Sequence, residues 1–153
     1  MMEYSPQQTA DWVGEAMLAN DRASRALGMQ VLEIKPGSAL LRMKVREDML
    51  NGHQTCHGGL ISALADSAFA FACNSYNELT VASSFSIDFM APARQSDVLT
   101  ARCTEISRTG RTGIYDASVT NQHGERIAVF RGRSHALKGK PAVVPSVPDE
   151  GAL

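Results

Sequence analysis

The sequence predicts an α+β domain in which a six-stranded antiparallel sheet is covered by one long helix. Six runs from residue 29 onward alternate apolar and polar side chains with period two, separated by turns rich in Gly, Pro and Asn. One helix-length stretch, "HGGLISALADSAFAFAC" at 57–73, falls between the second and third of these runs. A chain of 153 residues, 44% apolar and 20% charged, is the right size for one sizeable core. A sheet with one apolar face needs cover, and the helix supplies it.

Taken in order, Ser5 before Pro6 forms an N-cap with proline at the first helical position, predicting a helix over about 6–19 with Trp12, Ala16 and Ala19 on one stripe. "NDRASRALG" predicts a second helical turn stopped by Gly28, so 1–27 form an N-terminal helical segment. "MQVLEI" and "ALLRMKV" flank Lys35-Pro36-Gly37-Ser38 as a hairpin. In "SFSIDFM", Phe85, Ile87 and Phe89 alternate with Ser84, Ser86 and Asp88, predicting a strand with one buried face. Strands at about 98–107, 112–120 and 125–136 follow, divided by "RTGR" and "NQHGE" turns. The main domain therefore runs over 28–137, and "KGKPAVVPSVPDEGAL" at 138–153 is a flexible C-terminal tail.

Fifteen basic against sixteen acidic residues give a net charge of −1, which argues against a nucleic-acid partner. The polar start "MMEYSPQQTADW" is unlike a secretory signal, and no apolar run is long enough to span a membrane, so a cytoplasmic protein with no membrane partner is expected. Cys56, Cys73 and Cys103, three cysteines without framework spacing, fit a reducing compartment and no bridge.

Asp66 is the one charged residue of the long helix. On a helical wheel Leu60, Ile61, Leu64 and Phe71 form the core side, while Gly59, Ser62, Ala63, Ala70 and Cys73 surround Asp66, with Phe69 at the edge. A solvent-facing stripe carries Lys and Glu; small residues instead invite close approach by a ligand, a strand or a second helix. At the helix start, His57-Gly58-Gly59 offers unpaired N–H groups at the positive end of the dipole, with room for a ligand to reach the backbone. Gly58 and Asp66 are eight residues apart, so roughly 12 Å along one helix axis. A base and an oxyanion donor must each come within about 3 Å of one small reacting group, which one helix cannot arrange. Two copies packed antiparallel about a two-fold axis can, so an obligate dimer with two shared sites is expected.

"NGHQTCHGGLISALAD", with "VASSFSIDFMAP", "RTGIYD" and "FRGRSH", resembles the hotdog-fold acyl-coenzyme A thioesterases of the PaaI type, known from phenylacetate degradation, over about 28–136. The resemblance implies a curved sheet wrapped around the long helix, dimers that assemble into tetramers, an acyl-coenzyme A substrate with aromatic acyl groups, and no cofactor. It implies that Asp66 is base or nucleophile in the partner subunit's site and that the Gly58 N–H polarises the thioester carbonyl, with Gly59 beside it at the substrate. His57 then orients the thioester or the leaving sulfur, and Asn51 holds the substrate or the attacking water. Related animal thioesterases carry a water-positioning serine just before the third strand; the matching place here is Ala82, leaving Ser83 and Ser84 as substrate-binding candidates.

Arg108, Arg111, Arg131 and Arg133, with Lys138, are candidate partners for the coenzyme A phosphates. Tyr4, Trp12, Phe69, Tyr76 and Phe85 are candidates to line an acyl pocket. His53, Cys56 and His57 lie close together, but no second cluster completes a tetrahedral metal site, so no metal is expected; Cys56 beside His57 is the weaker nucleophile pair. Two alternatives stay open on the sequence: a hydratase or dehydratase of the same fold using His57 and Asp66, and a non-catalytic acyl-coenzyme A-binding module.

Overall fold

The computed structural model describes residues 3–144. Helix α1 (Pro6–Asn20) starts at a capping box: Ser5 Oγ accepts from the Gln8 N–H at 3.1 Å, and Gln8 Oε1 accepts from the Ser5 N–H at 2.8 Å. Its buried residues are Ala10, Val13 and Gly14, not the Trp12, Ala16, Ala19 stripe. The reason is contact with strand β1 (Gln30–Lys35): Gly14 lies so close to Ile34 that any side chain there meets Ile34 Cδ1, and Gln7 Nε2 donates to the Ile34 carbonyl at 2.7 Å. The short helix α2 (Arg22–Ala26) is capped by Asp21 and followed by Gly28.

Strands β1 and β2 (Ser38–Lys44) form the expected hairpin, with Gly37 at φ +77 in its turn. A single 3₁₀ turn (Glu47–Met49) and a loop lead to helix α3 (Gly58–Asn74). Strands β3 (Thr80–Phe89), β4 (Val98–Thr109), β5 (Thr112–Thr120) and β6 (Arg126–Ala136) complete one six-stranded antiparallel sheet in the order β1-β2-β4-β5-β6-β3. Because α3 joins β2 to the far edge strand β3, it must cross the strands between them, and this crossing buries the helix on the sheet. Phe69 fills the junction, tilted against Tyr115 and Phe130 at centroid separations of 5.5 and 5.7 Å. Gly132 allows it, since a Cβ there would stand 2.9 Å from the Phe69 ring.

Strand β3 begins four residues earlier than "SFSIDFM" and differs from expectation in burial. Phe85, Ile87 and Phe89 do face the α3 side, opposite Gly132, Phe130 and Ala128 of β6. Yet Phe85 is 46% and Phe89 51% exposed. As the last strand of the sheet, β3 reaches past the cover of α3 and presents an unpaired backbone edge. The expected free tail is tied down over its first residues: Leu79 N–H donates to the Lys140 carbonyl at 2.8 Å, and Val143 N–H to Asn77 Oδ1 at 3.0 Å. The rest of that segment, 145–153, lies outside the described residues.

Candidate active site

The loop before α3 is held from several sides. Asn51 Oδ1 accepts from the His53 and Thr55 N–H groups at 2.9 and 3.2 Å, and Asn51 Nδ2 donates to Thr55 Oγ1 at 3.0 Å. Asn51 therefore organises this loop, with one amide hydrogen left to offer. Cys56 N–H donates to the Ala93 carbonyl at 2.7 Å and His57 N–H to the Met49 carbonyl at 2.8 Å, fixing the residue that caps α3.

His57 Nδ1 accepts from the Gly59 N–H at 3.0 Å. A neutral imidazole with Nδ1 accepting carries its hydrogen on Nε2, so the exposed His57 ring presents a donor to solvent or to a ligand. The Gly58 N–H has no acceptor among the described residues. It stands at the positive end of a 17-residue helix, beside a cleft of about 350 Å³ whose lining includes Ile61, Phe89, Met90 and Pro92. A hydrogen-bond donor without an acceptor at a helix N-terminus beside a cleft is suited to receive a developing oxyanion.

Asp66 is half-buried two turns further on and has no hydrogen-bond or ion-pair partner among the described residues. Burial pushes its carboxyl pKa above the ordinary value. Gly59, Ser62, Ala63 and Ala70 leave its face open as the wheel predicts; Cys73 and Phe69 do not belong to that face, being 3% and 1% exposed in the core. Leu60, expected in the core, is only half-buried. The next residue, Ser67, shares a 2.9 Å hydroxyl hydrogen bond with buried Ser24, whose own hydroxyl donates to Asp21 at 2.7 Å, so α2 braces α3.

The other candidates divide. Ser83 is the extra residue of a β-bulge inside β3, donating to the Arg133 carbonyl at 3.1 Å, and Ser84 sits opposite Arg133 on the sheet face turned away from α3. Within one chain neither hydrogen-bonds Asp66: the bulge directs Ser83 to its own sheet and the pleat sends Ser84 outward. Arg131 lies on the same outer face, beside a depression of about 420 Å³, and is committed to Asp116 by two hydrogen bonds of 2.6 and 2.8 Å. Arg108 stacks on the Tyr76 ring at 3.7 Å and pairs with Glu105 at 3.5 Å, beyond the C-terminal end of α3 and roughly 24 Å from Gly58 by helix length. Lys138 pairs with Glu78. Arg111 and Arg133 form no ion pair among the described residues.

Of the aromatic candidates, Phe69 is core, Tyr4 is exposed on the N-terminal segment, Trp12 is half-buried on α1, Tyr76 donates to Glu105, and Phe85 stacks on Phe130. The cleft at Gly58 is lined on one side by Thr55, Cys56, Gly58 and Ile61 and on the other by the end of β3 and the loop after it, and this second side is what the sequence reading missed. The Cys56 to Ala93 backbone bond and the Phe89 ring beside Gly58 show that these segments meet, and no local pattern encodes it. Cys56, Cys73 and Cys103 are unbridged and buried; burial pushes the Cys56 thiol up to about 11, which removes it as a nucleophile at neutral pH. No group of three or more potential metal ligands occurs among the described residues.

Residues 53–128 match the thioesterase superfamily. The acyl-coenzyme A thioesterase PaaI of Escherichia coli is 44% identical over 124 residues, 81% of this chain and 89% of its own length. This chain belongs to the PaaI-type hotdog thioesterases. The structure of the E. coli PaaI protein from the phenylacetic acid degradation operon agrees, with a TM-score of 0.87 and 42% identity over 89% of this chain and 99% of that one. A variant of the phenylacetic acid degradation protein PaaI from Thermus thermophilus gives a TM-score of 0.74 at 38% identity, covering 76% of this chain and all of its own. As a PaaI-type thioesterase the chain is a hydrolase of thioester bonds, and its antiparallel sheet packed on one long helix is the hotdog fold that the sequence predicts.

Proposed function

We propose that this thioesterase hydrolyses acyl-coenzyme A, with phenylacetyl-CoA and hydroxyphenylacetyl-CoA as its substrates, giving the free acid and coenzyme A. The observation that carries the reading is Asp66, a half-buried carboxylate with no partner among the described residues on a helix with no other charge. In this mechanism the Gly58 N–H receives the thioester carbonyl oxygen while Asp66 takes a proton from water. Hydroxide adds to the carbonyl carbon, the oxyanion collapses, the carbon–sulfur bond breaks, and the leaving thiolate takes the proton back from Asp66. Direct attack by Asp66, forming an anhydride that water opens, uses the same two groups.

The roughly 12 Å between Gly58 and Asp66 along α3 supports a site shared by two chains. The unpaired edge of β3, with Val81, Phe85, Phe89 and Met90 exposed along it and at its end, is the surface that a second copy would cover. We therefore propose a homodimer with two equivalent sites, two dimers forming a tetramer. Arg111 and Arg133 are the better candidates for the coenzyme A phosphates, since Arg108 and Arg131 are already paired. The three buried, unbridged cysteines fit the cytoplasm, and no described helix is long and apolar enough to cross a membrane.

His57 speaks against a hydratase. Its Nδ1 is occupied by the Gly59 N–H, which leaves only a donor on Nε2 and no free basic nitrogen. The deciding experiment is thiol release from phenylacetyl-CoA, hydroxyphenylacetyl-CoA, benzoyl-CoA and short straight-chain thioesters by wild type and Asp66→Asn. A loss of about 10² or more in the variant, with assembly unchanged, supports the reading. Equal rates remove Asp66 from the chemistry, and a product that keeps its thioester restores the hydratase.

A further inference from the structure

Resting on the reading of Asp66 as the group that acts on the thioester, we propose that Ser24 and Ser67 are positioning residues for it: their shared hydroxyl hydrogen bond fixes the rotation of α3 at the turn that carries the carboxylate. Asp66 makes no ion pair or hydrogen bond among the described residues, so the direction of its side chain follows how the helix is turned about its axis. The two ends of α3 are tied. His57 N–H donates to the Met49 carbonyl at one, and at the other Asn74 bonds both backbone groups of Thr80 at 2.9 Å. Between them, over residues 60–73, the 2.9 Å contact of Ser67 with Ser24 is the one hydrogen bond to another element among the described residues. Within three residues of Asp66 the buried side chains are Leu64, Ala65, Ala68 and Phe69, two of them bare methyl groups. Apolar contacts are non-directional and tolerate a small rotation of such a surface; a hydrogen bond weakens steeply as its angle closes.

The bond has a defined direction. Ser24 is 2% exposed, its one hydroxyl proton goes to Asp21 Oδ2 at 2.7 Å, and its N–H donates to Asp21 Oδ1 at 2.9 Å. Ser67 therefore donates and Ser24 Oγ accepts. Asp21 holds Ser24 from a corner that is itself fixed: its N–H donates to the Leu18 carbonyl at 3.2 Å, closing α1, and its side chain caps α2. At the far end of α2, Arg46 Nη1 donates to the Ala26 carbonyl at 3.0 Å. Held at both ends, α2 supports the bond that Ser67 makes. A side-chain tip stands about 5–6 Å from the axis of its helix, so a rotation of about 10° carries it about 1 Å. A misplacement of that size costs up to about 10²-fold in rate.

The test measures kcat and KM for phenylacetyl-CoA, well below the melting midpoint, in wild type, Ser67→Ala, Ser24→Ala, the double variant and Ser67→Thr, beside Asp66→Asn. Each alanine variant should lose about 10-fold in kcat with KM within about 2-fold of wild type. The double variant should be no slower than the slower single one, because all three break one bond. Ser67→Thr keeps the hydroxyl and should return at least about half of the wild-type kcat. A merely structural role lowers the melting midpoint and leaves kcat of the folded enzyme alone. Unchanged kcat in both alanine variants, with Asp66→Asn still impaired, overturns the proposal. So does a threonine variant as slow as the alanine one, or losses that multiply in the double variant. Should one alanine variant fail to fold, the other breaks the same bond and decides. A wild-type rate in Asp66→Asn overturns the reading of Asp66 itself, independently of the serine variants.

Discussion

Replacing Gly58 by proline removes one N–H and little else. The N–H has no acceptor among the described residues, so no hydrogen bond seen there is lost. Position 58 opens α3, where proline's fixed φ suits the first helical residue, and His57, at φ −58 and ψ 129, already has the extended backbone that a residue before proline prefers. Loss of chain freedom in the unfolded state favours the variant by about 0.4–1 kcal/mol, opposed by a 3.1 Å contact with the tip of the exposed Phe89 ring, which can swing aside. Stability should thus change by less than about 1 kcal/mol, while loss of one oxyanion donor lowers kcat by roughly 10²–10³. The sharper result comes from mixing Gly58→Pro with Asp66→Asn by joint refolding. Random pairing makes about half the dimers mixed, and each mixed dimer has one site with both groups intact and one with both lost. About one site in four is then whole, so thiol release should recover to about a quarter of the wild-type rate from two nearly inactive parents. A mixture that stays at the parental rate, with mixed dimers demonstrated by two affinity tags, would refute the shared site.

Asp66→Asn should lose activity and gain thermal stability together. Burial raises the Asp66 pKa in the folded state, so the unfolded chain binds fewer protons in that window and stability falls as pH rises through the folded pKa. Above that pKa the cost is fully present, and asparagine removes it; a melting midpoint at pH 8 no higher than wild type contradicts the burial argument. For the same reason kcat/KM should fall on acidification at a pH above the ordinary carboxylate range, because only the ionised form accepts a proton. Iodoacetamide at pH 7.5 should leave thiol release from phenylacetyl-CoA intact, since Cys56 is buried and its thiol stays protonated; inactivation that tracks Cys56 alkylation by mass spectrometry contradicts this. Phe69→Ala should cost about 3–5 kcal/mol in urea unfolding, because the ring fills the space between Tyr115, Phe130 and Gly132 where α3 meets the sheet. A cost below about 1 kcal/mol means that the helix and sheet collapse to fill the cavity.

Local patterns carried much of this protein. Period-two alternation, the Pro36-Gly37 turn and the Ser5-Pro6 start each depend on near neighbours, so all six strands and all three α-helices were legible, as was the isolation of Asp66 among small residues. On α1 the buried stripe is Ala10, Val13 and Gly14 and not Trp12, Ala16 and Ala19, because Gly14, with no side chain, is what lets the helix settle on Ile34. Arg131 and Arg108 looked available in sequence because their partners Asp116 and Glu105 are set by strand register and by a hairpin bulge. Period two gave the direction of Phe85 and Phe89 correctly, but burial depends on what lies opposite, and β3 is the last strand in the order.

What the sequence determined by itself was the chemistry on the helix: a donor end at His57-Gly58-Gly59, a lone carboxylate eight residues on, and a separation too long for one copy to span. What only the tertiary structure decided was which groups are left unsatisfied and what stands beside them. The cleft lined by residues 89–93 on one side and by the start of α3 on the other, and the open edge of β3, arise from contacts between segments distant in the chain. Hydrogen-bond satisfaction and burial are sums over every neighbour in space, and a linear sequence names only the neighbours along the chain.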